Sequence, residues 1–416
     1  MHHDPREFVR GLQQILVSDN KRIGFLSGAG TSMILEKPDG TDDKGNPKYK
    51  SLIPGTTTMT NIVVSELKDK NALAVKAIEK ELNTDGLPFH IENLISKISQ
   101  KELVVGTETL CGLNKTELHD LKKLIEEKIK QLVSIHNEVG FFDWEITHYK
   151  FAQWIHDATR KSCVEIFTTN YDYLFEISFE KFTIPYFDGF IGAYSPFFHS
   201  GSLEDDTLLK GWTKLWKLHG SLGWDYDEPN KKIIRTNKDS GKIMIFPSVM
   251  KYDNSKKQPY VSYIDRLSRF LRTDDTILFI SGYSFGDQHI NDTIINALAK
   301  SKTSNAIAFL YDDFDENSDV TKLAKEERRL SIYGKRNAVI GGRFGKWKLK
   351  NRPSEDDEIQ ISSYFDQDAA EPKDKSGDKD DEPLTLEGNF ILVDFAKLVL
   401  FLSDLNYSNY LSKSPK

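Results

Sequence analysis

The stretch FLSGAGTSM (residues 25–33) is an apolar run that stops abruptly at glycine and continues into threonine and serine. Residues 22–26 predict a short β-strand, so the glycines follow its carboxyl end. Glycines in this position let backbone N–H groups approach a phosphate at the start of a helix. The stretch is neither G-x-G-x-x-G nor G-x-S-x-G, which argues against a dinucleotide fingerprint and a serine nucleophile. Taken alone, it is either a phosphate-binding loop or a plain turn.

Three further apolar runs end in polar residues. They are FTTNYD (167–172), WKLHGS (216–221) and FISGYSFGD (279–287). The candidate site residues that they place at strand ends are Asn170, Asp172, His219, Gly282, Tyr283, Ser284 and Asp287. Considered singly, Asn170 and Asp172 are also typical helix caps, and a lone histidine is usually structural. Because the carboxyl ends of parallel strands meet at one edge of a sheet, we expect the four junctions to converge there.

The order of elements predicts an α/β fold. Strand signals without polar alternation occur at 163–169, 213–219, 242–248, 276–282 and 305–311, and helical signals separate them. This pattern predicts a mostly parallel sheet that is covered on both faces. From about residue 61 to 160 the apolar spacing is helical throughout, which predicts an all-helical module inserted into the sheet domain. We expect residues 34–54, rich in Pro, Gly, Asp and Lys, to form a long loop.

The net charge of −7 arises from one segment of the chain. Residues 355–387 contain 13 acidic and 3 basic residues, and the remaining chain contains 50 acidic and 53 basic residues. We expect an acidic, disordered linker at 353–388, followed by a terminal helix at 389–405. In the basic segment 325–352, Arg and Lys alternate with Tyr, Phe and Trp. This leaves open a contact with nucleic acid, a docking surface or a solvated face.

Composition excludes several classes of protein. The two cysteines, Cys111 and Cys163, are too few for a disulfide framework or a four-thiolate zinc site. The N-terminal sequence MHHDPREFVRGLQQ lacks the apolar region of a secretory signal. Apolar stretches all fall short of the roughly 20 residues that cross a bilayer. We therefore expect a cytoplasmic protein without a membrane or metal partner.

In this order, GAGTS, TTNYD, LHGS and SGYSFGD resemble the motifs of the sirtuin NAD-binding fold, and specifically its bacterial, defence-associated branch of NAD-consuming proteins. IPGTTTMTNIV (53–63) and HIENLISKI (90–98) resemble the same branch. The resemblance implies a sirtuin-like, Rossmann-type catalytic domain over residues 1–312 and a C-terminal region over 313–416. Two C-x-x-C pairs hold zinc in the protein-deacylating sirtuins, and both are missing here. The resemblance therefore implies hydrolysis of NAD without a zinc module.

The resemblance also implies roles for the residues at the strand ends. Asn170 and His219 would be catalytic: Asn170 would hold the ribose and the attacking water, and His219 would be the general base, since histidine titrates near neutral pH. Asp172 would accept a hydrogen bond from the nicotinamide carboxamide. The pyrophosphate would be held by Gly28, Ala29, Gly30, Thr31 and Ser32, and the adenosine half by Gly282, Tyr283, Ser284 and Asp287.

By the same resemblance, the function would be that of an NAD+ glycohydrolase that depletes NAD in antiphage defence by abortive infection. Such chains act as oligomers and stay inactive until a partner triggers them. A HerA-type hexameric ATPase is the expected partner, and an Argonaute-linked arrangement fits less well. Two alternatives remain: a module that senses NAD or ADP-ribose without turnover, and a subunit of a defence complex that contacts nucleic acid.

Overall fold

A ten-stranded β-sheet forms the centre of the computed structural model, which describes residues 1–158, 160–207, 209–237, 239, 241, 243–244, 257–367 and 386–413. In chain order the strands are β1 (His2–His3), β2 (Arg22–Ser27), β3 (Glu165–Thr168), β4 (Tyr186–Phe187), β5 (Thr213–Lys217), β6 (Thr276–Ser281), β7 (Asn305–Leu310), β8 (Leu330–Gly334), β9 (Asn337–Ile340) and β10 (Arg343–Trp347). In space their order is β1-β10-β9-β8-β7-β6-β2-β3-β5-β4. Neighbours from β8 to β4 in this order are parallel, whereas β9 is antiparallel to both of its neighbours.

The strand order reverses between β2 and β6. From β2 the chain proceeds to β3 and β5 on one side, and it then crosses to β6, β7 and β8 on the other. The register aligns the strand ends, because Ser27 pairs with Ser281 and Thr168, and Thr168 pairs with Lys217. Ligands of open parallel sheets bind beside such a reversal, at the carboxyl ends of the strands. The four polar junctions therefore start from one row at one edge of the sheet.

The described residues include thirteen α-helices. They are α1 (Pro5–Val17), α2 (Thr56–Ser65), α3 (Asp69–Thr84), α4 (Ile91–Val104), α5 (Lys115–Val133), α6 (Thr147–Asp157), α7 (Leu174–Lys181), α8 (Gly201–Glu204), α9 (Tyr260–Arg272), α10 (Gln288–Lys300), α11 (Asp319–Glu326), α12 (Glu355–Ser362) and α13 (Phe395–Lys413). Across the ranges that the structure describes, every helix is too short or too polar to span a membrane.

Side chains on successive strand positions point to opposite faces of the sheet. Phe25 and Ile166 are buried on one face with residues of α1, α6, α7 and α13, whereas Leu26 and Phe167 are buried on the other with residues of α9, α10 and α11. Helices α2 to α5 pack around a third core, which also includes Tyr149, Leu174 and Leu222. Because helices cover both faces of a mainly parallel sheet, the predicted α/β fold class is confirmed.

Four of the five predicted strands correspond to β3, β5, β6 and β7 within two residues at each end. The fifth prediction, at 242–248, falls mostly outside the described residues, although Met244 forms a β-bridge with Gly220. Smaller antiparallel sheets, with strands of two to seven residues, were not predicted. Their strands are Leu35–Thr41 with Pro47–Ser51, then Phe190–Ile191, Phe197–Phe198, Trp224–Asp227 and Lys232–Arg235, and finally Phe365–Asp366 with Asn389–Phe390.

The prediction of a long loop at 34–54 is wrong. This segment contains an antiparallel hairpin, and Asp42 closes its turn by accepting hydrogen bonds from the amides of Lys44 and Asn46. The paired residues are mostly polar and exposed, and Pro38 lies within the first strand. No apolar alternation marks the strands, so the sequence pattern by itself favoured a loop.

The sheet continues beyond residue 312, where we placed the end of the sirtuin-like domain, because β8, β9 and β10 follow it. These strands come largely from the basic segment 325–352. Two of its aromatic residues, Tyr333 and Trp347, are buried and pack against Phe390. These two rings are therefore unable to stack on nucleic-acid bases, whereas Phe344 of the same segment is partly buried against Phe314.

The prediction that the acidic linker 353–388 is disordered is wrong for its first part. Helix α12 begins there, because the Ser354 side chain accepts a hydrogen bond from the Asp357 amide as an N-cap. Residues 368–385 lie outside the described part of the chain. The terminal helix that we predicted at 389–405 begins at Phe395, after Asp394 caps it through the amides of Ala396 and Lys397.

One buried residue makes the stability of the fold sensitive to acid. His148 on α6 is fully buried between the rings of Phe175 and Phe395, at centroid distances of 5.1 Å and 5.5 Å. Within the described structure neither ring nitrogen has a hydrogen-bond partner. Burial lowers the pKa of His148 from 6.5 to about 4, a decrease that the charge of Asp172 only partly opposes.

We therefore expect the free energy of unfolding to fall as the pH decreases from 6.5 to 4, because the unfolded chain binds this proton first. Between pH 7 and pH 5 the loss from this residue is about 2 kcal/mol. Urea denaturation of His148→Leu at both pH values should show a correspondingly smaller pH dependence. His156→Leu, on the exposed side of the same helix, is the control. An unchanged pH dependence in His148→Leu would contradict this account.

Candidate functional site

The loops after β2 and β6 meet backbone to backbone at the strand reversal. The Gly28 amide donates to the Ser281 carbonyl at 3.0 Å, and the Gly30 amide donates to the Gly282 carbonyl at 2.9 Å. A Cβ on Gly28 would lie 2.4 Å from the Gly282 oxygen, and Gly282 itself has a φ of +66°. The glycines are therefore needed for the two loops to meet. The sequence had suggested instead that the glycines admit a phosphate.

Of the five residues predicted to hold a pyrophosphate, two line the cavity at this edge, namely Ala29 and Ser32. Gly28, Gly30 and Thr31 lie behind them, and their amides donate to backbone carbonyls. Thr31 is completely buried, and its hydroxyl donates to the Gly28 carbonyl at 2.9 Å. Gly28, Gly30 and Thr31 therefore form the backbone support of the loop after β2, whereas Ala29 and Ser32 line the cavity.

A chain of hydrogen bonds joins the loop after β2 (residues 28–32) to the loop after β3 (residues 169–173). The Asn170 side-chain amide donates to the Ser32 hydroxyl at 2.9 Å and to the Gly28 carbonyl at 3.0 Å. The Ser32 hydroxyl in turn donates to the Asp172 carboxylate at 2.9 Å. The other carboxylate oxygen of Asp172 accepts from the Leu174 amide at the start of α7. Asp172 therefore holds the Leu174 amide at the start of α7 and also lines the cavity, although the N-cap position itself is Tyr173.

His219, at the end of β5, pairs with Asp287 in the loop after β6. Its Nε2 lies 3.0 Å from the Asp287 Oδ2, and both side chains are only 9% exposed. The other carboxylate oxygen of Asp287 accepts from the amides of His289 and Ile290, which fixes it as the N-cap of α10. The family resemblance implied that Asp287 contacts the adenosine half of a ligand; in the structure it lines the cavity and its side chain contacts His219.

Tyr283 supports this arrangement from behind. Its hydroxyl lies 3.0 Å from the Asp287 carbonyl oxygen and 2.9 Å from the Asn291 Oδ1, and the side chain is buried. Gly282 and Ser284 border the same cavity, and Ser284 is exposed at its mouth. Among the site residues predicted after β6, the Tyr283 hydroxyl is thus occupied by hydrogen bonds within the protein, and the Ser284 side chain is exposed to solvent.

A buried ion pair lies under the Asn170–Asp172 loop. The Lys217 ammonium is 2.7 Å from a Glu176 carboxylate oxygen, and it also donates to the carbonyls of Tyr171 and Asp172. Burial raises the pKa of Glu176 to about 7, against the opposing charge of Lys217. Neither residue was predicted from the sequence, because Lys217 is the last residue of strand β5 and Glu176 lies in the first turn of α7, outside the strand-end motifs. The pair anchors the loop that carries Asn170 and Asp172.

The cavity between these loops has a volume of about 220 Å³. One wall is polar and includes Asn170, Asp172, His219 and Asp287. The opposite wall comes from the helical module and is mainly apolar, with Ile53, Met59, Ile91, Ile129 and Val133. Glu92 of α4 also lies in that wall. The sequence contained a signal for it in HIENLISKI, but we assigned it no role. The structure therefore brings Asn170 and His219 together in one cavity, as predicted from the order of the motifs.

Comparison with known protein families identifies part of this sheet. Residues 164–333 match the SIR2-like domain. The matched range runs from β3 to β8 and contains Asn170, Asp172, His219 and Asp287. The loop after β2 and helices α2 to α5 precede this range. SIR2-like domains use NAD and are commonly NAD-dependent enzymes. The sirtuin resemblance is thus supported for residues 164–333.

The search of curated proteins found no match to the chain. Among the described residues, no group of three or more His, Cys, Asp or Glu side chains could hold a metal ion.

Proposed function

We propose that the chain is an NAD+ glycohydrolase that releases nicotinamide. The observation that carries the proposal is the meeting of Asn170 with the His219–Asp287 pair in one cavity, at the strand reversal of a sheet that includes a SIR2-like domain. Asn170 and His219 follow different strands, and a cleavage reaction at this edge of the sheet needs such groups on two sides of the bound substrate. A module that only binds NAD needs a pocket but no buried base.

The reaction consumes NAD+ and water, and it yields nicotinamide, ADP-ribose and a proton. The bond between the ribose anomeric carbon and the nicotinamide nitrogen breaks, and its electron pair neutralises the pyridinium charge. The anomeric carbon gains cationic character and accepts a water oxygen, while the water loses a proton to a base. Attack by an atom of the same molecule in place of water would give cyclic ADP-ribose.

His219 supplies that base in the proposal. An ionised carboxylate only accepts hydrogen bonds, so the Asp287 contact places the proton of the neutral ring on Nε2. The Nδ1 lone pair is then free to accept a proton, and the ring stays in one orientation because Asp287 is itself held by α10. Asn170 would orient the ribose and the water, and Asp172 would accept from the nicotinamide carboxamide.

The size of the cavity indicates how much of the dinucleotide is enclosed. At about 220 Å³ it is smaller than the roughly 300–1,000 Å³ of pockets that surround a whole drug-sized ligand. In the proposal it holds the nicotinamide and its ribose, beside Asn170 and His219. The diphosphate and the adenosine half would pass Ala29 and Ser32 and extend towards Ser284 at the mouth.

The biological setting is part of the same proposal. We propose that turnover depletes NAD during antiphage defence. We also propose that the chain forms a homo-oligomer, which becomes active when it assembles with a HerA-type ATPase. The resemblance of the motifs described above supports this setting. NAD consumption without control would be toxic, so a trigger outside the cavity is required.

The test is to incubate the purified chain with NAD+, with and without the product of its neighbouring gene, and to separate the products by chromatography. We expect nicotinamide and ADP-ribose in equal amounts, and a larger mass in solution for the active assembly than for a monomer. Binding of NAD+ without release of nicotinamide under either condition would refute the proposed hydrolysis and would favour a sensor.

A further inference from the structure

The buried ion pair under the Asn170–Asp172 loop includes a carboxylate that is only half used. Glu176 lies in the first turn of α7, and one of its carboxylate oxygens is 2.7 Å from the Lys217 ammonium. The other oxygen is buried and has no hydrogen-bond partner among the described residues. The side chains of Lys217 and Glu176 are only 2% and 14% exposed. Water therefore screens this pair weakly, and its charges act strongly on the surrounding groups.

Lys217 connects this carboxylate to the site. Its ammonium lies 3.4 Å from the Tyr171 carbonyl oxygen and also donates to the Asp172 carbonyl, so it contacts the two peptide groups that follow Asn170. The Leu222 amide shares the Tyr171 carbonyl, and the contact with the Asp172 carbonyl therefore depends most on Lys217. The side chains of Asn170 and Asp172, which the proposed reaction uses, extend from the same stretch of backbone.

Protonation of Glu176 would leave the Lys217 ammonium buried without its counter-charge. An unpaired buried charge is costly, so the ammonium would move towards water or towards another acceptor. Either movement weakens its contacts with the Tyr171 and Asp172 carbonyls. A displacement of about 1 Å in a group that positions a substrate can lower a rate about 10²-fold. The loop is therefore expected to be well placed for the reaction only while Glu176 is ionised.

The surroundings of Glu176 bring this change of charge close to neutral pH. Burial raises the pKa of Glu176 to about 7, against the opposing charge of Lys217, and the charge of Asp172 raises it further. Other titratable or charged groups face Glu176 or Asp172 from the neighbouring elements, namely Tyr173, Tyr186 of β4, Arg235 and His148 of α6. Burial raises the pKa of both tyrosines and lowers the pKa of His148 to about 4, and a guanidinium stays protonated. Between pH 6 and pH 8 these four groups keep their charge, whereas Glu176 changes from mostly protonated to mostly ionised.

We infer that Glu176 is a positioning residue of the proposed reaction, which in its ionised form holds Lys217 against the loop that carries Asn170 and Asp172. The inference rests on the proposed function for the reaction that it assists. Glu176 does not line the cavity, so it acts on bound NAD+ only through Lys217 and the loop. Its effect falls on kcat more than on KM, because the diphosphate and the adenosine half are held by other residues.

The experiment compares the full-length chain in its activated assembly with Glu176→Gln, which keeps the size of the side chain and mimics its uncharged form. The matched control is Glu180→Gln, one turn later on α7, because Glu180 is exposed and accepts a hydrogen bond from the Tyr186 hydroxyl. Nicotinamide release at pH 6, pH 7 and pH 8 gives kcat and KM. Hydrogen exchange of residues 169–174 at pH 8, measured by mass spectrometry, reports the anchoring of the loop without turnover.

We expect kcat of the unmodified chain to exceed that of Glu176→Gln about tenfold at pH 8 but only about twofold at pH 6, where most Glu176 side chains are protonated as well. The ratio of the two rates removes any pH dependence that both proteins share, including that of His219. KM should change less than about threefold. The loop should exchange faster in Glu176→Gln, and Glu180→Gln should behave as the unmodified chain at each pH.

A ratio of rates that stays constant from pH 6 to pH 8, or unchanged exchange of the loop, would overturn the inference. If Glu176→Gln does not fold, the double variant Glu176→Gln with Lys217→Met replaces it, because it removes both buried charges. The same ratios are expected from the double variant, since the loop then lacks its cationic donor. The proposed function fails separately if the unmodified chain binds NAD+ but releases no nicotinamide, and hydrogen exchange then still decides whether Glu176 anchors the loop.

Discussion

Replacing His219 with alanine is expected to lower the rate of nicotinamide release by about 10³-fold, because a positioned general base contributes roughly 10²–10⁴. The side chain is buried between β5 and the loop after β6, so alanine leaves the water without another described base in the same position. The measurement is the initial rate with saturating NAD+ in the activated assembly. His199→Ala, which changes an exposed histidine that bonds to Ser202, should keep the full rate.

Asp287→Asn provides a sharper form of the same test. Asparagine is as good an N-cap as aspartate, so α10 should remain intact and the fold should keep its stability. The amide, however, no longer fixes the proton of His219 on Nε2. We expect a decrease of about 10²-fold in kcat, at the low end of what a positioned general base contributes, with little change in the affinity for NAD+. A normal rate in Asp287→Asn would show that the pair is structural, and a normal rate in His219→Ala would refute the mechanism.

The sequence predicted the centre of the sheet well, since the physical signal there is strong. Strand β6 is buried along its whole length, so it appears as an apolar run, TILFIS, that ends at Gly282. The edges of the sheet gave no such signal. In β10 the exposed Arg343 and Lys346 share the strand with the buried Gly345 and Trp347, and this pattern was hidden in a basic segment.

The candidate site shows a similar limit. Chain order and strand ends were enough to predict that Asn170 and His219 meet, because parallel strands bring their carboxyl ends together. The partner of His219 was not predictable, since the contact with Asp287 joins residues 68 positions apart through a loop whose course only the folded chain defines. The position of Glu92 in the cavity wall was likewise not predictable, because it depends on how the helical module packs over the sheet.

A second large effect is expected at the opposite end of β3 from Asn170. There Glu165 and Arg266 form a buried ion pair, with the Arg266 Nε 2.9 Å from one Glu165 oxygen and Nη2 2.5 Å from the other. The Trp216 indole also donates to Glu165, and Arg22 approaches it at 3.9 Å. Arg266→Met should lower the free energy of unfolding by about 3–5 kcal/mol, because it leaves a carboxylate buried without its main partner.

Urea denaturation at neutral pH measures this loss, and Arg269→Met on the exposed side of α9 is the control, with an expected change within about 0.5 kcal/mol. If Arg266→Met alone does not fold, the double variant Glu165→Met with Arg266→Met remains informative. It removes both charges, and apolar replacement of a buried pair is often neutral or stabilising. Recovery of most of the lost stability in the double variant would show that the cost lies in the unpaired carboxylate. Loss of the same size in the double variant would attribute the effect to packing around Trp216 instead.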